Sequence, residues 1–196
     1  IYVFFKEVGS IAPYHFTQTN LYILSHFPFS MALAVTHVLI PLVLLDLFRH
    51  YLFGKNKFPR YLVVIGGIAG LAPDLDIPLG WLVSLLTGVP ANYHGLFTHS
   101  IFFVLLFLAI GLIRHYQHDR TTAKIFYVIA FGWLVHLPLD CLYGGAKSFL
   151  WPWLSGTFSW CPTFITDDLY AMGIDAALLV LWLVHEEVQK KIKDYF

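Results

Sequence analysis

The chain has 196 residues; 58% are hydrophobic, only 12% are charged, and its 12 basic and 12 acidic residues cancel. Soluble domains average about 45–50% apolar and about 25% charged residues, so this composition excludes an ordinary soluble globule and a disordered chain. Without a basic excess or a basic patch interleaved with aromatics, no nucleic-acid partner is expected. The solvent of most of this chain is lipid.

Five stretches approach the roughly 20 apolar residues a helix needs to cross a ~30 Å hydrocarbon core. They run from Pro28 to Phe48, Tyr61 to Leu86, Leu96 to Ile113, Ile125 to Tyr143 and Leu169 to His185. The expected fold is all-α: a polytopic bundle of about five transmembrane helices over residues 28–188. An aromatic interfacial segment, 1–27, precedes it and a tail, 189–196, follows. Gly66, Gly67, Gly70 and Pro73 are expected to interrupt the second span.

Lys and Arg gather in the first loop (Arg49, Lys55, Lys57, Arg60), the third (Arg114, Arg120, Lys124) and the tail (Lys190, Lys191, Lys193). The second loop has none and the fourth has only Lys147. The positive-inside rule then places odd loops and the tail in the cytoplasm and the N-terminus outside the cell membrane. Trp151, Trp153 and Trp160 fall in the outer fourth loop, where an aromatic belt belongs. Cys141 and Cys161 cannot build a disulfide framework and are read as free thiols, a single bond being open to them if their loop is extracytoplasmic.

Ionisable residues inside spans are costly and by default face a bundle interior or a functional cavity. At about 1.5 Å of rise per residue, His37 lies roughly 13 Å from the outer end of its span, Asp74 about 10 Å and His99 roughly 5 Å. On the same count His136 lies about 12 Å, Asp140 about 6 Å and Asp175 about 9 Å from it. Helices of alternating direction thus bring acidic and imidazole groups into one outer-half layer. Clustered carboxylates repel unless cations neutralise them, and imidazole with carboxylate around a divalent ion solves both repulsion and desolvation.

The motif HLPLD places His136 and Asp140 four apart, on one helix face. In PDLD, spacing two points Asp74 and Asp76 apart in a regular helix. Either the helix breaks at Pro73 and both turn inward, or one binds and the other caps or supports. In HGLFTHS, His94 and His99 suit one site if His94 is in the loop and His99 in the first helical turn; Thr98 or Ser100 would cap the helix or orient a ligand. His37 stands among apolar residues, and its depth favours ligation over a hydrogen-bonded core histidine. Asp175 shares the layer and is read as supporting a ligand. Asp46, beside Arg49 and His50, reads as an interfacial ion pair, and Asp167 and Asp168 as caps of the last helix.

A His in the first span, then PDLD, HGLFTHS and HLPLD, then Gly and a Trp-Pro pair, resembles in that order the family of membrane-bound, metal-dependent hydrolases of the YdjM type. The resemblance implies a metal-binding set of His37, Asp74, Asp76, His94, His99, His136 and Asp140. The family is in turn distantly similar to zinc-dependent phospholipase C and single-strand nucleases, which cleave phosphoesters with clusters of zinc ions. One departure stands out: the family commonly has Arg after the first His of the third motif, where this chain has Gly95. Such an Arg would suit an anionic phosphate.

The leading expectation is a hydrolase holding one to three divalent ions, Zn²⁺ foremost and Mn²⁺ or Fe²⁺ compatible, acting on a lipid or other amphiphilic small molecule at the outer interface. No catalytic base is assignable, because every candidate is also a candidate ligand. The alternatives are a divalent-metal transporter and a non-catalytic metal- or haem-binding subunit. Transport would need a polar path toward the cytoplasm, for which the inner halves offer little beyond Asp46. A haem site has no use for PDLD.

Overall fold

The computed structural model describes residues 34–54, 56–143, 147–154, 161, 164–165 and 167–188. The expected interfacial segment 1–27, the tail 189–196 and Trp160 lie outside the described residues. The architecture is all-helical. Helix α1 spans Ala34–Phe48 and closes in a π turn, Arg49–Phe53, that ends at Gly54. Helix α2 spans Arg60–Leu71, a 3₁₀ turn follows at Ala72–Leu75, and α3 spans Asp76–Thr87. After a second 3₁₀ turn, Phe97–His99, come α4 (Ile101–Tyr116), α5 (Arg120–Tyr143) and α6 (Asp168–Val188).

Among the described residues, four helical segments are long and apolar enough to cross a membrane: Ala34–Phe53, Arg60–Thr87, Arg120–Leu142 and Leu169–Glu187. The fifth apolar helix, α4, has 16 residues, about 24 Å of rise. It starts later than its apolar run suggests because Ser100 is extended and caps it, accepting from the Phe102 amide. Residues 97–99 are thereby freed for the separate turn that carries His99.

Helix α5 is central, packing against α4, α2 and α1, while α2 also packs on α1 and α6 on α1. Lipid tails are as apolar as Leu, so helices in a membrane associate through close packing. The glycines of α2 provide it. A Cβ on Gly70 would stand 2.2 Å from the His37 carbonyl oxygen on α1, and one on Gly132 of α5 would stand 2.4 Å from the Gly66 carbonyl oxygen. Three backbones therefore meet at the glycine stretch. The expected interruption does not occur at the glycines, which neighbouring helices lock into one continuous helix, but it does occur at Pro73, where the backbone changes to the 3₁₀ turn Ala72–Leu75.

The two cysteines are not free thiols. Cys141 and Cys161 form a disulfide. Cys141 lies in the last turn of α5, and the returning chain is tied to that end by the Phe164 and Ile165 amides, both donating to the Leu142 carbonyl. That return brings together two residues 20 apart in sequence, a proximity that spacing alone does not disclose.

Candidate metal centre

Two 3₁₀ turns between the helices deliver polar side chains to the same place. The 3₁₀ turn at Ala72–Leu75 rotates Asp74 and Asp76 so that both face the cluster, the inward-turning alternative for PDLD. The turn before α4 places His99, with His94 in the loop ahead of it. His136 and Asp140 share one face near the end of α5, and His37 comes from the first turns of α1. Asp76, His99, His136, Asp140 and His37 are all buried.

Asp74, His99, His136 and Asp140 each offer one donor atom, and these four atoms lie within 4.8 Å of one another. His99 Nε2 is 3.4 Å from Asp74 Oδ1 and 2.9 Å from Asp140 Oδ2. His136 Nε2 is 3.6 Å and 3.4 Å from the same two oxygens. A tetrahedral ion with bonds of about 2.0–2.1 Å would separate its ligands by roughly 3.3 Å, close to these spacings.

The surrounding hydrogen bonds fix which atoms are available. His136 Nδ1 donates to the Gly70 carbonyl at 2.7 Å. His99 Nδ1 lies 3.2 Å from Asp76 Oδ2. With Nδ1 engaged as a donor, each ring presents the lone pair of Nε2 to the common centre, as in carboxylate–histidine–metal arrangements. The two Nε2 atoms and Asp140 Oδ2 are buried without a hydrogen bond of acceptable geometry, although they lie within ion-pair distance. Buried polar atoms are nearly always satisfied. The two Nε2 atoms, converging on carboxylate oxygens without hydrogen bonds, fit a cation between them, while Asp140 Oδ2 also meets Lys147 Nζ at 3.0 Å.

Asp76 is held by more than His99. Thr98 Oγ1 donates to its Oδ2 at 2.7 Å and the Gly95 amide does so at 3.3 Å. Thr98 thus supports a carboxylate, the orienting role expected of it, while Ser100 takes the capping role. Asp76, His94 and His99 form a second three-residue group, with His94 Nδ1 3.4 Å from Asp76 Oδ1. The groups share His99, whose Nδ1 serves the second only by giving up its proton bond to Asp76. The four-donor group therefore makes the better-formed centre. His37 Nε2 reaches the other oxygen of Asp140 at 3.3 Å, and its ring packs tilted against that of His136, with centroids 4.2 Å apart.

All seven residues of the expected metal set join one cluster. Asp175 does not. It accepts from the Val35 amide, the Thr36 amide and Thr36 Oγ1, capping the start of the helix that carries His37. Asp167 accepts from the Leu169 amide at the start of α6, and Asp46 pairs with Arg49 and His50, as expected.

Sequence reasoning passed over Lys147. Its Nζ lies 3.0 Å from Asp140 Oδ2 and 3.1 Å from His94 Nε2, and the residue is buried. The 147–154 segment is docked by the Ser148 amide on the Gly95 carbonyl and the Ile101 amide on the Phe149 carbonyl. Ser100 Oγ adds bonds to the Phe149 and Trp151 carbonyls. The signal was present: Lys147 is the lone cation of the fourth loop. Gly95 adopts φ +78°, a backbone conformation that favours glycine. Lys147 brings a cation to the cluster from the other side. Solvent or a ligand reaches these groups past His94, whose side chain is 33% exposed beside Asp74 at 13%.

Comparison with curated proteins and with solved structures found no match. The family described as YdjM inner membrane protein matches residues 31–192. That match covers all the helices among the described residues and every residue of the cluster, so the chain belongs to the YdjM inner membrane protein family.

Proposed function

We propose that this membrane protein is a metal-dependent hydrolase of a lipid or lipid-linked phosphoester. The observation that carries the reading is the convergence of His99 Nε2, His136 Nε2, Asp74 Oδ1 and Asp140 Oδ2 on one buried point, with both imidazole tautomers set by hydrogen bonds on their far sides. The residues fit a divalent ion: two imidazoles and two carboxylates favour Zn²⁺ and are compatible with Mn²⁺ or Fe²⁺. When bound, such an ion polarises a phosphoryl oxygen and lowers the pKa of a water.

The chain's own groups supply the rest. Asp74, His99, His136 and Asp140 hold the ion, and Asp76 and the Gly70 carbonyl orient the two rings. Lys147 offers a cation to an anionic oxygen arriving past His94. His94, partly exposed, is placed to exchange a proton with substrate or leaving group. Trp151 and Trp153 pack edge-on against Phe102 at the same end, where aromatic side chains suit a head-group interface. The Cys141–Cys161 disulfide, one residue from Asp140, supports placing this end on the oxidising, extracytoplasmic side. The charge asymmetry of the loops supports the same orientation, with the N-terminus outside.

The test is head-group release from mixed phospholipid vesicles. Wild type should turn over, chelation should stop it, and re-addition of Zn²⁺ or Mn²⁺ should restore it. Asp140→Ala should be inactive with or without metal. Turnover that survives both chelation and Asp140→Ala would overturn the reading.

A further inference from the structure

At the opposite end of the bundle, α1, its π turn, the α1–α2 loop, α5 and the end of α4 line an open cavity of about 820 Å³. This lies in the ~300–1,000 Å³ range of ligand pockets. Its walls are apolar, formed by Leu45, Phe48, Phe58, Val128 and Phe131 among others. Its rim carries three cations, Lys57, Arg120 and Lys124, with His115 beside them. Lys124 Nζ donates to the Lys57 carbonyl at 2.7 Å, which fixes the ammonium over the opening and leaves two of its three donors free for an anion. The nearby acids are Asp46 and Asp119. Asp46 is engaged by Arg49 and His50, and Asp119 accepts from the Thr122 amide. The 12 residues of α2 separate this end from the His/Asp cluster, about 18 Å along the helix.

Basic residues at helix ends ordinarily reach toward the membrane surface, and that alone would mean nothing. Here three lie around the mouth of an apolar chamber within a membrane protein. A soluble anion would match the rim and leave the chamber unexplained, and a neutral lipid would do the reverse. We propose that the cavity binds an anionic phospholipid of the adjacent leaflet. One acyl chain lies between α1 and α5, and the phosphate sits on Lys57, Lys124 and Arg120. Basic pockets between membrane helices recognise anionic head groups in this way. The site is independent of the metal centre.

The experiment is native mass spectrometry of the full chain in a neutral detergent, titrated with dioleoyl-phosphatidylglycerol or dioleoyl-phosphatidylcholine. The phosphatidylglycerol adduct should be retained roughly a hundredfold more strongly, at roughly fivefold for each of the three basic residues engaged. Lys57→Gln with Arg120→Gln alters two exposed side chains and should lower the preference about 25-fold while metal content stays at the wild-type level. If the double variant does not fold, Lys57→Gln alone should still lower the preference about fivefold. Equal retention of the two lipids, or a preference unchanged in the variants, would overturn the proposal. Displacement of phosphatidylglycerol by millimolar inorganic phosphate would also overturn it, because it would mark a plain anion site.

Discussion

The two ends of this bundle handle charge in opposite ways. At one end, Asp76, His99, His136 and Asp140 are buried and each is met by groups from other helices or turns. At the other end, Lys57, His115 and Arg120 are exposed around an apolar cavity, and the acid Asp46 is served by residues three and four positions along its own helix. A buried polar group in a membrane must be satisfied by protein or by a bound ion, whereas one at the interface can turn to water. Burial with long-range partners is therefore what separates a candidate centre from an ordinary helix end, and chemical type alone does not.

The contrast is most severe for a carboxylate at each end. Asp140→Asn should lower divalent-metal affinity by more than about 100-fold, beyond what loss of an orienting partner costs. It should also destabilise the metal-free protein by about 3–5 kcal/mol, because Lys147 would be left as a buried charge without its partner. Metal titration and thermal melts of the purified variant would read both effects.

Asp76 orients a ring through a hydrogen bond, so Asp76→Asn is expected to weaken metal binding about 10- to 100-fold. Competition with a chelator of known affinity would measure it, and an unchanged affinity would show that His99 needs no carboxylate behind it. Gly70→Ala tests the packing that holds the centre together. Its Cβ would press on the His37 carbonyl, and a loss of about 1–3 kcal/mol is expected in denaturant unfolding.

Asp175→Ala removes a cap from the start of α1 and should cost about 1 kcal/mol, with metal content unchanged. Loss of the metal in this variant would draw Asp175 into the site. Smallest is Asp46→Asn, the counterpart of Asp140→Asn at the other end. A partly exposed pair within one helix contributes about 0–1 kcal/mol, and stability should barely move.

Much of the centre was legible from the chain because ionisable residues in apolar spans are rare and helix rise converts their positions into depth. His37, Asp74, His99, His136 and Asp140 were expected in one layer, and the structure brings them together. Asp175 shows the limit of that reasoning: depth says nothing about direction around the helix axis, and its carboxylate faces the amides of α1. Lys147 was missed because it arrives on a loop docked through backbone hydrogen bonds to Gly95 and Ile101, which side-chain spacing does not encode. The disulfide was missed for the same kind of reason, since it depends on how the chain returns to the end of α5. Glycines 66, 67 and 70 read as breaks in isolation, yet in the bundle they are the contact surface of α2.

The central claim is that His99, His136, Asp74 and Asp140 hold a divalent ion. Metal analysis of the detergent-purified chain tests it most directly, with Co²⁺ substitution to report the geometry. The account predicts about one tightly bound ion per chain at the four-donor group, with a tetrahedral Co²⁺ spectrum from two nitrogens and two oxygens. It predicts that both are lost in His136→Ala and kept in Asp46→Asn. Wild-type protein that takes up no metal, or metal retained at full stoichiometry with an unchanged spectrum in His136→Ala, would contradict it.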